Sequence, residues 1–225
     1  MRYDTIREAF FLDRPNRFIA HVLLDGETVV CHVKNTGRCR ELLVPGARVI
    51  LSQGTNPLRK TAYDLVSVYK GERLINMDSQ APNAIAAEYL PRLFPDLKML
   101  KGEVTCGDSR FDFYGEKADG PFYLEVKGVT LERDDRVYFP DAPTERGVKH
   151  LRELAQIQQN GTNAYVLFIV QMQDVISVQA NRETDPTFAD ALLAAKEAGV
   201  GVYAVDCVVT ADEVRANQPV LIEYV

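Results

Sequence analysis

The chain has no hydrophobic run long enough to span a bilayer. Its longest uninterrupted apolar stretch is the seven residues from Ala164 to Val170, against the ~20 that a membrane helix needs. The opening Met1-Arg2-Tyr3-Asp4-Thr5 has no apolar segment of the kind that directs export. Together these absences predict a cytoplasmic protein with no membrane partner. Cysteine is sparse, with only Cys31, Cys39, Cys106 and Cys207 scattered through 225 residues, which excludes a disulfide framework. Cys31, His32 and Cys39 lack a fourth ligand at a finger-like spacing, so they read as reduced, partly buried thiols rather than a zinc site. Surplus positive charge is missing as well: 26 Lys and Arg face 32 Asp and Glu, a net of −6, so bulk attraction alone would not coat nucleic acid. The 46% hydrophobic and 26% charged composition excludes disorder and low-complexity scaffolds.

The charge is unevenly placed. Residues 1–80 hold 12 Lys and Arg against 9 Asp and Glu, which leaves 14 against 23 for residues 81–225 and points to two modules. Short strand patterns fill the first module: Arg17 to Leu24, Thr28 to Val33, Arg48 to Gln53, Tyr63 to Tyr69 and Arg73 to Asn76, punctuated by Asp25-Gly26, Pro45-Gly46 and Lys70-Gly71. Five such strands fit an OB-like β-barrel over residues 1–82, with an SH3-like barrel or open sheet as the competing arrangement. From residue 83 to 225 the pattern turns to mixed helix and strand. Asn83 is expected to cap a helix running from Ala84 towards Phe94, shortened or kinked by Pro91. Ser109 to Tyr114 and Pro121 to Leu131 read as a hairpin. Thr144 opens a helix with Val148, Leu151, Ala155 and Gln158 inward, closed by Asn160-Gly161. Ala164 to Val170 reads as a strand buried on both faces. Asp185, Pro186 and Gly199 frame a further helix, and Val202 to Val205 returns to strand. The sum is an α+β or α/β arrangement, a mixed sheet with helices on its faces.

Chemistry concentrates in the hairpin. Alternation places Glu125 and Lys127 on one face of Phe122-Tyr123-Leu124-Glu125-Val126-Lys127, and puts Phe111 and Phe113 together on one face of their strand with Asp112 opposite. Paired as a hairpin, the strands bring Asp112 beside Glu125, and two carboxylates among apolar residues need a cation. Mg²⁺ or Mn²⁺ suits them, because such ions bind through one or two carboxylates plus substrate phosphate, and Lys127 then stabilises charge on the phosphate. Glu88 is a further candidate ligand from the preceding helix. Arg146, Lys149 and His150 crowd the start of the helix after the hairpin, where phosphate is favoured. Lys34, Arg38, Arg40, Arg59 and Lys60 form a second basic group near loops of the first module. The competing interpretation is a surface ion pair between Glu125 and Lys127 and solvated basic loops.

Asn35-Thr36-Gly37, Ser109-Arg110-Phe111-Asp112-Phe113, Glu125-Val126-Lys127-Gly128-Val129-Thr130-Leu131 and Phe139-Pro140-Asp141-Ala142-Pro143-Thr144-Glu145-Arg146-Gly147, continued by Lys149-His150-Leu151-Arg152-Glu153-Leu154, resemble the sugar fermentation stimulation protein (SfsA) family in order and spacing. The resemblance implies an OB-like domain followed by a PD-(D/E)xK nuclease-like domain, non-specific DNA binding, and a regulatory role in sugar (maltose) metabolism. It also implies that Asp112, Glu125 and Lys127 correspond to the nuclease aspartate, acid and lysine, and Glu88 to its helical glutamate. Phe111 stands where the nuclease signature has proline. Lys34 stands where the family often has proline, and Cys39 where methionine is common. Two functions follow as expectations: a Mg²⁺- or Mn²⁺-dependent nuclease acting on DNA, RNA or single strands, or a non-catalytic DNA-binding regulator. A small-molecule sensor is a third, without a recognisable sugar pocket or Gly-rich phosphate loop to support it.

Overall fold

A computed structural model describes residues 1–35, 37–54, 56 and 58–224. The chain begins with strands β1 (Ile6–Asn16), β2 (Ile19–Leu24), β3 (Glu27–Val33), β4 (Arg48–Gln53), β5 (Tyr63–Lys70) and β6 (Arg73–Asn76). The sheet order is β3-β2-β1-β4-β5-β6, and a further pairing of β3 with β5 closes it. The closure is parallel and sets Cys31, His32 and Val33 against Tyr63, Asp64 and Leu65. β1 to β5 therefore form a closed five-stranded barrel of OB type, and β6 is a hairpin extension of β5 rather than a fifth stave. The stave absent from the sequence pattern is β1. Its register slips after Phe11 and again after Asp13, and these bulges hide the period-two signal. Asp25 and Gly26, with φ of 53° and 86°, make the two-residue turn that right-twisted hairpins favour.

Next come α1 (Ala81–Leu93), β7 (Met99–Cys106), β8 (Ser109–Lys117), β9 (Gly120–Val129), β10 (Leu131–Arg133) and β11 (Arg136–Phe139), then α2 (Glu145–Gln159), β12 (Asn163–Val170), β13 (Ser177–Ala180), α3 (Pro186–Glu197), β14 (Gly201–Val209), β15 (Val214–Pro219) and β16 (Leu221–Glu223). The large sheet runs β15-β14-β12-β9-β8-β7, and a four-stranded sheet runs β10-β11-β13-β16. β12 lies parallel to both β9 and β14, with Ala164, Val166, Phe168 and Val170 in one buried cluster and Tyr165, Leu167 and Ile169 in the other. The first cluster holds α2 and α3, the second α1. β12 is thus apolar on both faces because helices cover both.

Local chemistry corrects two expected boundaries. α1 begins at Ala81 with Gln80 at its cap, and Pro82 occupies the first turn, where its fixed φ and missing N–H cost nothing. Asn83 therefore lies inside the helix, and its side chain is free for another task. Pro91 falls in the last turn and the helix continues through it to Leu93. In α2, Thr144 caps as expected by accepting from Gly147 N, but the buried side runs through Val148, His150, Leu151 and Leu154. Ala155 is only half-buried, and Gln158 instead caps β12 by accepting from Ala164 N at 2.9 Å.

The barrel and the rest of the chain are joined by buried polar contacts. Asn76 donates to Tyr3 Oη (2.9 Å) and Val66 O (3.0 Å). Gln171 donates to Asn76 Oδ1 (2.8 Å) and Asp78 O (3.0 Å), and Asp78 Oδ2 accepts from Lys34 at 2.9 Å. Burial and the Asp78 charge push the Tyr3 hydroxyl well above the usual phenol range. A second tie is ionic. Glu132, on β10, meets Lys70 at 2.5 Å and Arg73 at 3.2 Å and accepts from Asp135 N at 2.8 Å. Burial pushes its carboxyl up, but Lys70 and the Asp135 N–H outweigh this and hold it below the usual glutamate range. Its stabilisation is therefore complete at neutral pH and fades as pH falls below that range. We expect Glu132→Ala to cost about 2–3 kcal/mol, or about 4–12 °C in Tm at pH 7. The gap between wild type and Glu132→Gln should narrow on acidification, and thermal melts at several pH values check both.

Candidate functional site

β8 and β9 pair from Lys117↔Gly120 as far as Phe113↔Leu124. Beyond that point the ladder stops, and Asp112 takes over with its side chain: Oδ2 accepts from Val126 N at 2.8 Å. Alternation fails at this residue. Phe111 and Phe113 do not share a face as expected, since Phe111 packs with the α2 cluster and Phe113 with the α1 cluster. Between them the Asp112 carboxylate reaches the β9 backbone at Val126. Its other oxygen, Oδ1, accepts from Asn83 on α1 at 2.8 Å.

Glu125 Oε1 is held from two sides, by Lys127 Nζ at 2.5 Å and by His150 Nδ1 at 2.5 Å. Arg146 Nε donates to the other imidazole nitrogen, Nε2, at 3.5 Å, which leaves Nδ1 as the nitrogen that carries a proton towards the carboxylate. Glu125 Oε2 is buried with no hydrogen-bond partner. Burial drives the Glu125 carboxyl up, but His150 and Lys127 more than offset it and hold it below its usual range. Asp112 moves the other way. Burial and then the negative charge of Glu125 raise it, against the pull of Val126 N–H, Asn83 and Lys127. The two carboxyls feel each other in one cleft of about 560 Å³, lined by Asp112, Glu125 and Lys127 together with Asn83, Arg146 and Gln171.

An orphaned carboxylate oxygen beside a second, mutually repelling carboxyl fits a divalent cation that keeps several waters and completes its shell from a phosphate. Asp112 and Glu125 are the residues able to hold it. Among the described residues no group of three or more His, Cys, Asp or Glu is placed to hold a metal ion, so a cation at this cleft would have the two carboxylates as its protein ligands and take the rest from water or substrate. Glu88 is not part of the group. It is 59% exposed and pairs with the Met1 amine at 3.1 Å, away from the cleft. His150 is 3% exposed and packed against Phe111, so it cannot touch nucleic acid and instead orients Glu125. Among the other basic candidates, Arg146 lines the cleft. Lys149 turns to Asp108 O (3.1 Å) and Glu153 (3.7 Å). Lys34 is committed to Asp78, and Arg59 to a two-pronged pair with Asp64, which a free phosphate contact would have to break. Arg38, Arg40 and Lys60 are exposed.

Two family models cover most of the chain. One, described as the SfsA N-terminal OB domain, matches residues 12–77, and the other, the sugar fermentation stimulation protein RE domain, matches residues 80–213. The chain belongs to the SfsA family. A sugar fermentation stimulation protein homolog of Desulfitobacterium hafniense (strain Y51) is 53% identical over 226 residues, covering 100% of this chain and 99% of that protein. One from Clostridium beijerinckii is 50% identical, covering 96% of each. The solved structure of Pyrococcus furiosus SfsA in complex with Ca²⁺ superposes with a TM-score of 0.88 at 27% identity, over 99% of this chain and 98% of that one. The architecture is thus an OB domain followed by a mixed-sheet, restriction-endonuclease-like domain. Among its described residues, this SfsA-family chain has no helix long and apolar enough to cross a membrane.

Sequence reasoning missed the residues that reach the SfsA-family site from other elements. Asn83 was obscured by its apparent role as a cap. Gln171 follows the apolar run of β12 with nothing in its neighbourhood to mark it. The link from His150 to Glu125 spans 25 positions, and only the i, i+4 spacing from Arg146 hinted that this histidine belonged to a cluster.

Proposed function

We propose that this SfsA-family protein is a divalent-metal-dependent nuclease that hydrolyses phosphodiester bonds in DNA, with residues 1–82 holding the nucleic acid and residues 83–225 carrying the site. The observation that carries the reading is the meeting of Asp112, Glu125 and Lys127 in one cleft, with Glu125 Oε2 unpartnered. The Ca²⁺ in the Pyrococcus furiosus relative supports it. Mg²⁺ or Mn²⁺ bound there would polarise the scissile phosphate and lower the pKa of a coordinated water. Lys127, only 12% exposed and paired with Glu125, places a positive charge where the phosphate becomes more negative. His150 and Lys127 keep Glu125 ionised and in one rotamer. Arg146, at the positive end of α2, can take a non-bridging phosphate oxygen.

The direct test is incubation with DNA plus Mg²⁺ or Mn²⁺, with Glu125→Ala purified alongside. Cleavage confined to the wild type and abolished by chelator supports the reading. Equal cleavage by both proteins would mark a contaminant. No cleavage under any condition favours a second reading, a DNA-binding regulator of sugar metabolism in which the fold only docks. Exposed Arg38, Arg40 and Lys60 favour that reading in particular. Both readings require salt-dependent binding, in which each substitution that takes a Lys or Arg away from a phosphate lowers the salt slope by about 0.9 on duplex DNA.

A further inference from the structure

The cleft over Asp112 and Glu125 is walled by the barrel. Arg14, on β1, donates to the carbonyls of Asn35 (2.6 Å), Gly37 (2.8 Å) and Arg38 (2.9 Å), and also to Arg17 O (2.7 Å). Asn35 is fixed again through its own side chain, which accepts from Gly37 N at 2.7 Å and donates to Met77 O at 2.9 Å. Asn35 and Gly37 line the cleft, so this wall is braced from behind. In front, Gly37 abuts Asp141, in the segment between β11 and α2. A Cβ at position 37 would lie 2.7 Å from Asp141 Oδ2 and 2.9 Å from Asn35 Oδ1, so any side chain there would push these two groups aside. The two parts of the molecule touch beside the carboxylates.

We propose that the DNA strand cut in this cleft is unpaired when it arrives: a single strand fits beside the contact between Gly37 and Asp141, and an intact duplex does not reach Asp112 and Glu125. The proposal rests on the nuclease reading and adds the form of the substrate. The open cleft of about 560 Å³ is the size of a small-ligand site, matched to a nucleotide or two of one strand. The cations also suit one backbone. Arg146 lines the cleft and Arg38, its carbonyl pinned by Arg14, is exposed next to Gly37, which is how grooves track a single strand. A duplex would have to open before its phosphate came within reach, and that opening slows the reaction.

The test compares cleavage, in Mn²⁺, of one labelled sequence as a single strand, as a blunt duplex and as a duplex with splayed arms. The expected result is that the single strand and the splayed arms are cut at least about tenfold faster than the paired region. Asp141→Ala, which relaxes the contact with Gly37, should raise the duplex rate relative to the single-strand rate, and retained single-strand cleavage shows that the variant is folded. If the intact duplex is cut as fast as the single strand, in a reaction lost in Asp112→Ala, the strand proposal is overturned while the nuclease reading stands. Absence of cleavage on all three substrates overturns both.

Discussion

Replacing Asp112 with alanine should lower metal-dependent DNA cleavage by at least about 10³-fold, the rate equivalent of the several kcal/mol that a bound cation contributes to a phosphoryl transition state. The loss should not come from unfolding. In the folded protein the Asp112 carboxyl is raised, first by burial and then by the Glu125 charge, so the folded state holds this proton more tightly than the unfolded chain does. Stability then declines as pH rises through the window above the ordinary aspartate range, the reverse of a salt-bridged carboxylate. Asp112→Asn removes the charge and keeps an oxygen for the Val126 N–H. It should be as inactive as the alanine variant yet melt higher than wild type at pH 7–8, by about 2–4 °C per kcal/mol relieved. Kinetics paired with calorimetry would show the two effects separating. An Asp112→Asn protein that loses both activity and stability would instead make the carboxylate a structural group.

Lys127→Ala should lower kcat by about 10²–10³-fold with a much smaller change in KM, since its charge acts mainly on the transition state. Lys127→Arg should recover only part of this, because a planar guanidinium cannot reproduce a point charge at the same atom. Removing Lys127 also takes away one of the two groups that hold Glu125 down. Glu125 then moves up, and the acid limb of the pH–rate profile should shift to higher pH. A variant with unchanged kcat and an unshifted profile would reduce Lys127 to a surface-type ion pair.

The parts of this molecule that could be read in sequence are those whose signals are local. Asp25-Gly26 announces its hairpin, Thr144 and Asp185 announce their helices, and β12 is apolar throughout because both faces are covered. The site triad was legible because Glu125 and Lys127 lie two positions apart on a strand and Asp112 lies just across the preceding turn. Illegible features depend on where the chain folds back. β1 was hidden by its bulges, and β7 by Gly102 and by Glu103, whose φ is +56°. Glu88 looked as eligible as any helical acid until the Met1 amine met it. The break in alternation at Asp112 had no sequence signal, because it follows from a hydrogen bond to a different strand.

The buried contacts among Tyr3, Asn76, Asp78 and Gln171 bear on how such a protein can change over time. Gln171 reaches Asn76 Oδ1 and Asp78 O across the junction, so a gene cut near codon 80 would separate the buried Gln171 amide from both of its acceptors and strand hydrogen-bonding groups in each fragment. Recombination that pairs this barrel with an unrelated partner is therefore penalised at once, and the halves are expected to be inherited together.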